Sequence, residues 1–162
     1  MFDVMSNAFK RAFRGKGTHM DPLKALDGLT PETARMIPRE GTHSCWHILY
    51  HIVYWQDLML AAVRGEKVDW PKDNQESWPT SEMIENNGDW TKLINKFENG
   101  LNEAESLTSK LESTEDLPAW PKAPPFAAFL VFAQHNSFHV GEIVATRQAL
   151  GIWPPPDYKA TF

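Results

Sequence analysis

Residues 135–147 read HNSFHVGEIVATR, inside a run from Pro125 to Leu150 that contains no internal proline. His135 and His139 are four residues apart. On a helix that spacing puts both imidazoles on one face, one above the other. Val131, Phe132, Phe138, Val140, Ile143 and Val144 make the segment apolar on most sides, so a buried helix is expected. Buried imidazoles need partners for their ring nitrogens. One divalent ion shared by both rings supplies them, and a third histidine would leave coordination positions open, as catalytic sites do.

Outward from this stretch the chain reads as helix and connection, with no convincing strand. Phe2, Met5, Phe9 and Phe13 recur at helical spacing over roughly 2–14. That face is expected to point into a core, although Lys10, Arg11, Arg14 and Lys16 beside it also suit an amphipathic membrane-surface helix. Asp21-Pro22 reads as a cap followed by proline at the first helical position, predicting a continuation over 21–28. Thr30-Pro31-Glu32 begins another short turn, ended by Pro38 and Gly41.

A second long helix is predicted from Ser44 to Arg64, capped by Thr42 or Ser44 and stopped by Gly65. It is apolar nearly all round, as a central bundle helix is. The polar connection 66–80 carries Trp70-Pro71 and Trp78-Pro79, and long connections often border functional sites. A third helix is predicted over 81–112. Its stripe is Leu93, Ile94, Phe97, Leu101, Ala104, Leu107 and Leu111, and Asn86-Asn87-Gly88 interrupts its start. A proline-rich stretch, 113–125, precedes the fourth helix, which Gly151 and Trp153-Pro154-Pro155-Pro156 end. The tail, 157–162, is expected to be extended. Helix lengths and order predict an all-α, up-and-down four-helix bundle with elaborated loops, one domain spanning 1–162.

Composition narrows the function. The formal net charge is −5, and the only basic cluster is the short N-terminal one, so nucleic acid is not expected as a direct partner. The single cysteine, Cys45, excludes an internal disulfide and a multi-cysteine zinc site. It fits a reducing cytoplasm. The N-terminal segment lacks the continuous apolar core of a signal peptide, and no run of about 18 apolar residues spans a membrane. A cytoplasmic protein acting on a small molecule is expected.

For the third ligand, His47 and His51 both stand on the second long helix, again four apart. His43, at the helix start, and His19, in a glycine-rich turn, are weaker candidates. Spacing alone does not separate His47 from His51.

HNSFHVGEIVATRQALGIWPPP (135–156), together with THSCWHILYHIVYWQDLML (42–60), resembles the DinB superfamily, including its YfiT-like members. The GKGTH of 15–19 and the HSCW at the helix start are also similar. The resemblance touches most of the chain and is specific in the second and fourth long helices. It implies a DinB-type helical bundle whose metal ligands fall on His51, His135 and His139, with His47 a neighbour. It further implies a thiol S-transferase using a low-molecular-weight thiol, or a metal-dependent hydrolase, and a homodimer as a frequent assembly.

One departure stands out. Where the family usually has glutamine after the motif glycine, this chain has Glu142, three residues beyond His139 and on the same face. Glu142 is the candidate catalytic residue. It suits accepting a hydrogen bond from a ligand or bound water, acting as general base, or standing solvated at the bundle mouth.

Three neutral imidazoles leave a divalent ion its full charge, able to acidify a water or hold an external thiol as thiolate. Imidazole ligands suit Zn, Ni, Fe and Cu alike and do not choose the metal; a divalent ion is expected, Zn or Ni first and Fe or Mn next. The competing class is a non-catalytic metal-binding stress-response or interaction protein, or a bundle whose chemistry is lost with Glu142. A cleft reaching an exchangeable position separates an enzyme from a closed binder. Arg147 matches the family's downstream arginine and is expected as a structural partner, with an anion contact as the sharper reading. Cys45 is expected to be inert packing. Trp55, Trp70, Trp78, Trp120 and Trp153 are expected as loop anchors or as a pocket mouth.

Overall fold

The computed structural model describes residues 2–41, 43–87, 89–108, 111 and 113–158. Among the described residues six α-helices carry the fold: α1 (Phe2–Phe13), α2 (Pro31–Arg35), α3 (Cys45–Val63), α4 (Ser81–Asn87), α5 (Trp90–Thr108) and α6 (Pro125–Ala149). No strand forms among the described residues, and one isolated bridge, Leu117 with Trp120, closes a turn. The class is all-α, a helical bundle, as the periodicity predicts.

Local chemistry sets the ends of the helices. Ser44 caps α3, its Oγ accepting the His47 backbone N–H at 3.3 Å. The alternative cap, Thr42, lies outside the described residues. Arg64 ends α3 and Gly65 follows at φ 80°, a left-handed turn that glycine adopts without a Cβ clash. Gly151 does the same after α6, at φ 71°. Thr30 and Thr33 form a reciprocal cap on α2.

Two predicted helices come out shorter. The continuation over 21–28 is one 3-10 turn, Lys24–Leu26, because Asp21 Oδ1 takes the Leu23 N–H and closes a tight turn instead of capping a longer helix. The helix predicted over 81–112 divides into α4 and α5, and Asp89 Oδ1 accepts the Lys92 N–H at the restart. The break falls at the Asn86-Asn87-Gly88 interruption. Gly88 and part of 109–112 lie outside the described residues, as does 159–162.

The four long helices pack as a ring. α3 and α1 each lie against both α5 and α6, so α1 faces α3 across the bundle. Phe9 and Phe13 of α1 meet Phe129 and Phe132 of α6 edge-on or tilted, with centroids 5.0–6.0 Å apart. That is the core-facing role read for α1. Between α3 and α5 the backbones approach closely at Gly100, where the Gln56 amide fills the space a Cβ would need and donates to the Lys96 and Phe97 carbonyls.

The expectation of burial all round α6 needs correcting. Phe132, Val140 and Ile143 are buried, but Phe126, Leu130, Val131 and Phe138 are exposed, Phe138 by 65%. A helix at the corner of a four-helix ring touches two neighbours, so one of its faces stays outside whatever its residues are.

Candidate metal centre

His51 of α3 and His135 and His139 of α6 converge where these helices cross. One potential ligand atom from each lies within 4.8 Å of the others. His51 and His139 are buried and His135 half-buried. His51 Nε2 and His135 Nε2 are 3.3 Å apart. Two nitrogens held about 2.0–2.1 Å from one ion at a tetrahedral angle are separated by about 3.3–3.4 Å. The donor set therefore fits a divalent ion in type and in spacing.

Two outer contacts fix which nitrogen faces inward. Ser77 Oγ donates to the Asn74 carbonyl at 2.6 Å, so it accepts from His51 Nδ1–H at 2.9 Å. His51 Nε2 then carries the lone pair. His139 Nδ1 donates to Glu142 Oε2 at 2.6 Å, leaving Nε2 as its free ring nitrogen. A carboxylate or hydroxyl behind a ligating imidazole sets its tautomer and orientation.

The electrostatics suit the same use. Burial first, then the neighbouring imidazoles of His139 and His135, pull His51 down to about 3. Burial, then His139, pulls His135 down to about 4. Both rings are neutral near pH 7, the form that binds metal.

The other candidates separate clearly. His47 is occupied at the helix cap, its Nδ1 2.7 Å from Ser44 Oγ, and is absent from the cluster. His43 stacks on Trp78 at 3.9 Å, and the opposite face of that indole stacks on His51 at 4.0 Å. His19 turns to another face of α6, where Nε2 meets Ser137 Oγ at 2.9 Å. Arg147 is 2% exposed. It donates to the Ala25 and Ile152 carbonyls and lies over Trp153, a clamp joining α6 to two loops rather than an anion receptor. Burial pushes the Cys45 thiol up to about 11, consistent with packing.

A cavity of about 370 Å3 opens onto the cluster, with all three histidines in its wall. Trp55, Trp70, Trp78 and Trp120 line it, whereas Trp153 does not. A larger cavity of about 490 Å3 lies among α3, α4 and α5, but its rim charges pair with each other, Asp57 with Lys96 and Asp89 with Lys92. No histidine lines it, so its size does not make it the metal site. Glu142 stands beside the cluster and outside the wall of the histidine cavity.

Sequence reasoning did not find Ser77. Its local signal, a short Asp73-capped 3-10 turn, speaks of a loop and not of a histidine 26 residues away.

Searches of curated proteins and of solved structures return no match to this chain. The DinB superfamily profile matches residues 16–143, a span that includes His51, His135, His139 and Glu142.

Proposed function

We propose, from the premise that this chain belongs to the DinB superfamily, that it is a divalent-metal-dependent enzyme whose ion is held by His51, His135 and His139. The observation that carries this reading is the cavity reaching all three imidazoles. Catalytic metal sites keep a position open to substrate where structural ones are closed, and this cavity provides the approach. When bound, the ion would supply Lewis acidity, lowering the pKa of a coordinated water, to about 7 in favourable sites, or of a coordinated thiol.

Between thiol transfer and hydrolysis, the contacts favour thiol transfer. Glu142 is engaged by His139 Nδ1 and is absent from the cavity wall, so it acts as a positioning residue. No carboxylate lines that wall among the described residues. Hydrolysis gains from a general base beside the water, whereas a thiol needs only to be acidified. The chain's own residues bind and orient a thiol and its electrophilic partner, and the indoles exclude water. Zn or Ni are the ions of first choice for such a donor set.

Elemental analysis of untagged protein tests this reading, beside His51→Ala and His135→Ala. About one ion per chain, lost in both variants, is expected. A wild type that takes up no ion after reconstitution with Zn, Ni, Mn and Fe would remove it.

A further inference from the structure

The wall of the histidine cavity has an unusual composition. Trp55, Trp70, Trp120, Met59 and Val131 form its apolar side, with Trp78 stacked face-on against His51. No Lys, Arg, Asp or Glu lines it among the described residues, and Asn74 is its one uncharged polar side chain besides the histidines. The indoles are held against one another and against the ligands. Trp55 meets His135 at 6.2 Å, Trp70 meets Trp120 at 5.1 Å, and Trp70 Nε1 donates to the Ala119 carbonyl at 2.7 Å.

We infer that the molecule entering this cavity is a flat, uncharged aromatic or similarly apolar compound bearing a single donor atom, with that atom toward the histidines and its ring among Trp55, Trp70 and Trp120. The inference rests on the metal reading above and names the substrate class of that site. Three lines of chemistry lead to it. A ring desolvated against indoles gains area burial and quadrupole-matched contacts. An anionic group held among the indoles, away from the ion, would lose its water with no Lys or Arg beside it. A cation would suit an indole box alone, but a divalent ion on three neutral ligands repels it. The volume, about 370 Å3, lies at the small end of the usual range for ligand pockets and admits one such ring system.

The test compares two thiols, benzyl mercaptan and the anionic 2-mercaptoethanesulfonate, whose sulfonate is a poor metal ligand, by calorimetry on the metal-loaded protein. It is repeated by saturation-transfer NMR on the metal-free protein. Benzyl mercaptan is expected to bind the loaded protein at least about 10-fold more tightly. Val131→Lys puts a cation at a 41% exposed position on the cavity edge, where folding is not at stake. It is expected to shrink or reverse that ratio. Trp120→Ala is expected to weaken benzyl mercaptan alone. Equal affinities, tighter 2-mercaptoethanesulfonate, or a ratio unmoved by Val131→Lys overturns the inference. Should the protein take no ion, the metal reading fails by itself. Saturation transfer from indole protons to the benzyl ring in the metal-free protein then still supports the aromatic pocket, and its absence overturns it.

Discussion

At the scale of the residue, the site depends on what stands behind each imidazole. Glu142 holds His139 by a 2.6 Å contact. Glu142→Ala is expected to weaken Zn binding by about 10–100-fold. Glu142→Gln is expected to fall between, because an amide oxygen still accepts the Nδ1–H but brings no charge. Competition with a chelator measures both, and an unchanged affinity in Glu142→Ala refutes the positioning role. The metal-free protein also has a defined acid response. His51 and His135 are held at about 3 and about 4, below the ordinary imidazole value near 6.5. Between those values the unfolded chain binds protons that the folded chain refuses, so stability falls as pH falls. Their contribution is whole above pH 6.5 and is lost progressively toward pH 4 and then pH 3. Urea titrations from pH 7 to pH 4.5 should show this loss, with a shallower slope in His135→Asn. An identical slope in that variant would remove His135 as a cause.

At the scale of the element, α3 positions the site and its seat against α5 is the sensitive joint. A Cβ at Gly100 would lie 1.8 Å from Gln56 Nε2. Gln56 is fully buried and donates to two carbonyls, so it has no inexpensive retreat. Gly100→Ala gains up to about 1 kcal/mol of helix propensity and loses about 1–3 kcal/mol to overpacking. A net loss of stability in denaturant unfolding is expected, and a gain would show that the joint is looser than these contacts imply. The elements also show what periodicity carries. The three- and four-residue spacing in α5 and the Ser44 and Gly65 signals around α3 place those helices closely, because caps and stripes are local. The split between α4 and α5, and the collapse of 21–28 to one turn, depend on side chains such as Asp89 and Asp21 taking backbone N–H groups. Sequence patterns mark those residues without saying which partner they choose.

At the scale of the whole molecule, no helix among the described residues is long and apolar enough to cross a membrane. Phe126, Leu130 and Phe138 are exposed on α6 and lie outside the wall of the histidine cavity. We propose that the homodimer implied by the family resemblance forms on these residues, since Phe9 and Phe13 of α1 are spent on the core. Sedimentation over a range of concentrations is expected to show a dimer that Phe138→Glu weakens, and a wild-type monomer at every concentration removes the proposal.

The amino-acid sequence by itself determined the helical class, the ends of α3 and α6, and the shared face of His135, His139 and Glu142. Each follows from contacts within a few residues along one chain segment. It also made His51 and His47 equal candidates by spacing, a tie that only family resemblance broke. The tertiary structure decided the rest. It turned His51 toward α6 while Ser44 occupied His47, brought Ser77 behind His51, sent Trp153 to Arg147, and gathered four other indoles around one cavity. Those outcomes depend on which helices become neighbours, and neighbours are chosen by the packing of whole faces, which no local pattern encodes.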